Sequence, residues 1–332
     1  MIKIQIKTAL LLILSILSAP LMADSARQEI RVAVRAHAGE QHAIEKWQAT
    51  IAYLNQTLPD YRFVMRPYTS LKQQLSDAKH KKFEFLLTNP ATYVELEVVN
   101  HARAMLTLIN KRRDTAQTRF GSVIFTHVDN GDILRLHDLK GKHFMAVNRL
   151  GFGGWRIGLK ILKDYDIDPD TDFASLQFAG KQPAVVQAVL DKKVHAGIVR
   201  TDMLERLADK GKVNLRSIRV LNQQHTKDFP FFHSSPLYPE WPFAHMPHVS
   251  TKLVEQVKQA LLKIKPTDPA AISGKYIGWT AALDYQPVKD LLRDIGIAPF
   301  AKTNTHLRFL VGLFFILFVP LIVFLMIKRY SD

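Results

Sequence analysis

Apolar residues along this chain fall into short runs that alternate with helical spacings. Glu29 to Arg35, rich in Ile and Val, predicts a strand. Ile44, Trp47, Ile51, Leu54 and Leu58 then recur at helical spacing until Pro59 stops them. Arg62 to Arg66 predicts a strand, and Ser70 with Gln73 has the form of a capping box for a helix through Leu71, Leu75 and Ala78. Phe83 to Thr88 reads as a buried strand. Asn89 suits the N-cap and Pro90 the first position of a helix over Ala91 to Val99. Met105 to Ile109 is the next strand. This rhythm predicts a mostly parallel sheet covered by helices.

The rhythm restarts. Strands are expected over Gly121 to Val128, Lys142 to Val147, Leu176 to Phe178, Val194 to Val199 and Ile218 to Leu221. Helices are expected over Trp155 to Tyr165, Pro183 to Leu190 and Thr201 to Lys210. Phe229 to Pro247 is rich in Pro and aromatics and shows no period. Helices over Ser250 to Ile264 and Pro287 to Ile295 follow, the second with Gly296 as its C-cap. The order fits an α/β protein of two lobes: 24–118 begins lobe 1, 119–222 forms lobe 2, and 223–300 returns to lobe 1. Crossings are expected near Arg119 and Asn222.

The ends are patterned differently. Lys3 and Lys7 precede an apolar stretch that closes at Pro20, with Ala19 or Ala23 as the small residue at a cleavage site. Residues 1–23 thus read as a secretory signal. Phe309 to Ile327 is uncharged and long enough to cross a bilayer as a helix. Residues 301–308 would link it to the lobes. Lys328 and Arg329 follow it, so 328–332 would face the cytoplasm. The expected location is the inner membrane, with a single pass and the bulk of the chain in the periplasm.

Composition narrows the chemistry. Cysteine is absent, which excludes a thiolate metal site, a cysteine nucleophile and an acylated-cysteine anchor. The formal charge of +15 is spread along the chain, as in Lys111-Arg112-Arg113 and Lys192-Lys193. Such runs read as solvated faces and also fit attraction to anionic solutes or to an anionic membrane surface. No nucleic-acid motif is present, and nucleic acid is not expected as a partner. The 13 histidines are scattered, and no nucleophile elbow or metal-hydrolase motif occurs. No enzyme activity, cofactor or metal is expected.

Ligands of open α/β sheets sit beyond strand ends, where helices begin. Thr88 and Asn89, with Tyr93 one turn along, form one such place, although capping alone explains Asn89. The glycine-rich turn Asn148 to Trp155 is the second, either an anion or polar-group site or merely a tight strand-to-helix turn. Arg149 adds charge there, Gly153 and Gly154 allow close approach, and Trp155 starts the helix. It is no dinucleotide fingerprint, because Arg156 stands where a third glycine is needed. The third is Arg200-Thr201-Asp202. Arg200 could grip an oxyanion, and Asp202 could hold Arg200, receive a ligand amine or simply cap a helix. Arg35, ending the first strand, is a fourth candidate.

Several of these segments resemble the phosphate/phosphite/phosphonate class of periplasmic solute-binding proteins. They are Trp47 in its helix, Leu86 to Ala91, Asp138 to Lys142, Gly153-Gly154-Trp155 and Val199 to Asp202. The likeness runs from about Glu29 to Ile295. Thr88-Asn89-Pro90, Gly153-Gly154-Trp155, Arg200-Thr201-Asp202 and Leu237 to Pro242 further resemble the periplasmic sensor domain of tetrathionate-sensor-like histidine kinases. The resemblance implies a type II-like clamshell of two lobes that closes on a ligand, with Tyr93, Gly153, Gly154 and Arg200 near the cleft. Phosphonate binders carry a hydroxyl-rich turn where this chain has Gly151 to Gly154, which leaves room for a sulfur oxyanion or another small solute. Kinase relatives continue into signalling domains, whereas only five residues follow the apolar run here. The expected role is a membrane-tethered binding or sensor protein for a small anionic solute, signalling to a membrane-embedded sensor kinase. The alternatives are the binding component of an ABC importer, working with its permease, and a truncated sensor-kinase input domain.

Overall fold

The computed structural model describes residues 27–301. The signal and membrane-spanning segments expected at the two ends lie outside the described residues. Two sheets carry the fold. The first contains β1 (Gln28–Arg35), β2 (Tyr61–Tyr68), β3 (Phe85–Leu87), β4 (Arg103–Arg112), β13 (Pro242–His245) and β14 (Tyr276–Ala281), in the order β14-β4-β13-β3-β1-β2, with β5 (Thr115–Gln117) paired to β4. The second contains β7 (Ser122–His127), β8 (His143–Ala146), β9 (Ser175–Phe178), β10 (Ala196–Arg200) and β11 (Ile218–Leu221), in the order β11-β7-β10-β8-β9.

Neither sheet is mostly parallel. Parallel pairing joins β1 with β2 and β3, and β8 with β9 and β10. The others run antiparallel, including β13 against both β3 and β4. β13 lies in the stretch where the sequence shows no period. Its Pro242, Phe243 and Ala244 are buried, so no polar face marks the strand.

Local chemistry sets the helix starts. In α1 (Glu40–Thr57), Ala43, Trp47, Thr50, Ile51 and Leu54 form the buried stripe. Ser70 caps α2 (Leu71–Lys79) by accepting the Gln73 amide. The Gln73 side chain binds Asp77, so only half of the expected box forms. Asn89 accepts the Thr92 amide at 3.1 Å to start α3 (Pro90–Asn100). In the second lobe, a π turn (Phe152–Arg156) runs into α4 (Ile157–Asp164). α5 (Gln182–Leu190) and α6 (Met203–Ala208) complete that lobe. α7 (Thr251–Leu262), α8 (Pro269–Gly274) and α9 (Gln286–Asp294) belong to the first. Gly296 follows α9 with φ 68°, the left-handed stop that glycine permits.

The chain crosses between lobes on two short antiparallel strands, β6 (Arg119–Phe120) and β12 (Tyr238–Pro239). The return comes later than Asn222, because hydrogen bonds keep residues 222–235 on the second sheet. Asn222 Nδ2 donates to the Ser234 carbonyl, Ser234 Oγ donates to the Leu221 carbonyl, and the Ser122 amide donates to Ser235 Oγ.

Phe243 is 1% exposed in the strand that joins the two halves of the first sheet. Phe243→Ala should cost about 3–5 kcal/mol. Urea denaturation measures it, and a loss under about 1 kcal/mol would contradict the central position of β13.

Candidate functional site

A cleft of about 770 Å³ opens between the lobes. Its lining includes the ends of β1, β4 and β10, the π turn, and the inner face of α1. Seven basic residues line it (Arg35, Lys46, Arg112, Arg156, Arg200, Arg206 and Lys275) against one acidic residue, Glu45. Three buried carboxylates, Glu95, Asp202 and Glu240, stand behind the arginines.

Arg200 ends β10 and reaches the crossing. Its Nη2 pairs with Glu240, its Nη1 lies 3.4 Å from the other Glu240 oxygen, and its guanidinium sits 4.0 Å over the Phe120 ring. Burial opposes its charge, but Glu240 and Asp202 outweigh that and raise its pKa. Glu240 is fully buried. Burial pushes its pKa up, yet Arg200 and Arg112 overcome this and hold it below its ordinary 4.5. A second buried pair crosses the cleft, Arg156 Nη1 to Glu95 at 3.0 Å. Burial wins here and raises the Glu95 pKa despite Arg156 and Arg35.

Lys46 forms no ion pair among the described residues. Its ammonium lies 4.6 Å from the Trp47 ring and 5.6 Å from that of Trp241. Burial in the cleft, with Arg112 and Arg200 nearby, lowers its pKa to about 7, and Glu240 opposes the shift.

The expected site residues divide. Arg35, Asn89, Gly153, Gly154 and Arg200 line the cleft. The others face elsewhere. Thr88 is fully buried below the floor. The Tyr93 hydroxyl donates to Glu97 and accepts the Ala104 amide. Arg149 is exposed, 3.7 Å from Asp170 and stacked on Phe178. Trp155 is buried edge-on against Phe178. Thr201 Oγ1 accepts the Gly121 amide at the crossing. Asp202 is buried behind the arginines, 3.2 Å from Arg112 Nε and 2.7 Å from Arg206 Nε.

The glycines serve packing more than approach. A Cβ on Gly153 would stand 2.9 Å from Phe120, and one on Gly154 would stand 2.8 Å from Val147. The turn still opens a helix whose first amides have no internal acceptor. Arg112, Glu240, Lys46 and Trp241 are absent from the sequence-based candidates. Strand alternation was the available signal for Arg112, since Lys111 and Arg113 on either side of it are exposed.

Comparison with known proteins agrees with this architecture. Residues 32–306 match the family described as ABC transporter, phosphonate, periplasmic substrate-binding protein. The chain belongs to this phosphonate-binding periplasmic family. Its members are binding proteins, not enzymes. The tetrathionate sensor histidine kinase TtrS of Salmonella typhimurium is 34% identical over 266 residues, covering 80% of this chain and 43% of that protein. The chain thus spans less than half the length of this curated relative.

Solved structures share the two-lobed α/β fold. A Xanthomonas citri protein bound to ATP has a TM-score of 0.64 at 13% identity, covering 81% of this chain and 98% of that one. A binding-protein component of an ABC phosphonate transporter from Pseudomonas aeruginosa has a TM-score of 0.61 at 14% identity, covering 81% and 87%. A Prochlorococcus marinus protein in complex with methylphosphonate has a TM-score of 0.60 at 11% identity, covering 81% and 98%.

Glu240 sets an acid limit on stability. Its folded pKa lies below 4.5, so its contribution is complete above that value and is lost as pH falls through the folded pKa. Glu240→Gln should cost about 3 kcal/mol near neutral pH and make the acid-side decline shallower. Chemical denaturation from pH 3 to pH 7 measures both. An unchanged pH profile in the variant would contradict the assignment.

Proposed function

We propose that this chain captures a small oxyanion of sulfur or phosphorus between its lobes and reports occupancy to a membrane partner. The observation that carries the reading is the cleft lining, seven basic residues to one acidic. Such a surface concentrates anions, and guanidiniums match oxyanion geometry. The family supports solute capture, and the relative named as a tetrathionate sensor makes sulfur oxyanions the first class to test. The hydroxyl-poor turn Gly151–Gly154 points the same way. The cleft residues we assign to the ligand are Arg35, Asn89 and the turn at Gly153 and Gly154, together with Lys46 and Arg112, while Arg200 stands on Glu240 beside them.

In this reading the apolar run 309–327 tethers the lobes to the inner membrane, and the partner is a sensor kinase. The family description favours a second reading, the binding component of an ABC importer acting with its permease. Permease and ATPase genes beside this one would support transport; a kinase and response regulator would support sensing.

Full-length protein in detergent should show a rising thermal midpoint with tetrathionate, thiosulfate, sulfate or methylphosphonate. At about 100 times Kd the gain is about 2.7 kcal/mol, a shift of a few degrees. No shift with any of the four would overturn the anion reading. Lys46 adds a pH dependence. Its charge fades as pH rises through about 7, so affinity should fall several-fold between pH 7 and 9. Lys46→Gln should flatten that decline in calorimetric titrations; a decline as steep as that of the parent would rule Lys46 out as its source.

A further inference from the structure

Three guanidiniums converge on one buried carboxylate. Asp202 takes a left-handed backbone, φ 72°, and its side chain does not cap α6 although it occupies the N-cap position. It turns instead to Nε of Arg206 at 2.7 Å, of Arg112 at 3.2 Å and of Arg200 at 3.6 Å. These are ionic contacts without hydrogen-bond alignment. Contact at Nε leaves the terminal nitrogens for other partners, and there the three arginines differ.

Both terminal nitrogens of Arg200 face Glu240, so a ligand would have to displace a fully buried carboxylate to use them. Among the described residues, the terminal nitrogens of Arg112 make only a 3.4 Å contact, from Nη1 to the Lys111 carbonyl. Those of Arg206 have, among the described residues, only the Met203 sulfur, 3.8 Å from Nη2. Arg112 and Arg206 both line the cleft.

We infer that Arg112, seconded by Arg206, is the guanidinium that grips the anion, while Asp202 positions it and Arg200 braces the crossing. The inference rests on the proposed reading of the cleft as an oxyanion site. Arg112 ends β4 in the first lobe, and Asp202 belongs to the second. One guanidinium therefore meets the ligand on its terminal nitrogens and the opposite lobe on Nε. Capture and lobe approach share this residue. A guanidinium fixed at Nε is also pre-set for two parallel bonds to an oxyanion.

Two measurements on the full chain in detergent decide it. The first is labelling of the ligand-free protein by phenylglyoxal, mapped by mass spectrometry. The Arg112 and Arg200 side chains are 16% and 13% exposed, so their rates report partners rather than access. Arg112 should react at least tenfold faster; equal rates, or a faster Arg200, would overturn the inference. The second is calorimetric titration with tetrathionate, sulfate and methylphosphonate. Arg112→Lys should lose at least tenfold more affinity than Arg200→Lys. Asp202→Asn removes a negative charge, so electrostatics alone would tighten anion binding, whereas a positioning role weakens it about tenfold. Tighter binding in Asp202→Asn, or a larger loss in Arg200→Lys, would sink this inference alone. A parent protein that binds no anion would sink it together with the proposed function.

Discussion

A carboxylate taken fully out of water must find a counter-charge, and in this fold Glu240 finds Arg200 across the crossing between lobes. Much of the cleft depends on that pair. Glu240 directly follows β12, where the chain re-enters the first lobe. Arg200 ends the central strand of the second lobe and lies over Phe120 of the outgoing crossing. Phe120 packs edge-on against Phe152 of the π turn, and Phe152 against Tyr238 of the return. Ion pair, crossing strands and glycine turn therefore form one contact set. Gly153 is required because Phe120 and Arg200 occupy the space where a Cβ would stand.

Beyond this joint, charge is arranged in opposing layers. Carboxylates are buried behind the guanidiniums, while the cleft surface itself is basic. Arg156–Glu95 repeats the device from the other side, with the arginine in the second lobe and the carboxylate on α3 of the first. Buried pairs of this kind hold direction better than they add stability. Lys46 differs, because aromatic faces rather than a carboxylate hold its ammonium.

Much of the α/β order was legible because strands ending in polar turns and helices opened by Ser70, Asn89 or Pro90 carry local signals. The antiparallel members were not. β13 is four residues long, buried, and set by pairing with β3 and β4, which lie more than 100 positions away. The same holds for α8 and β14, whose pattern is too short to stand out. At the cleft, Arg35, Asn89, Gly153, Gly154 and Arg200 were legible as residues at strand ends and helix starts. Arg112 was hidden inside a basic run that reads as solvated surface. Only the alternation of β4 turns it inward while Arg113 pairs with exposed Asp209. Asp202 reads from sequence as a partner of Arg200, a receiver of a ligand amine or a cap, and its contacts with Arg112 and Arg206 depend on a left-handed backbone that sequence does not announce.

The central claim is that the interlobe cleft is where an anion arrives. Trp47 and Trp241 flank Lys46 on its wall, so tryptophan emission reports occupancy at that place. Titrating the full-length protein with tetrathionate should produce a saturable change in emission that fits one site per chain and is largely lost in Trp241→Phe. Binding detected by calorimetry with no change in emission, or with an equal change in Trp241→Phe, would put the anion elsewhere and contradict the account.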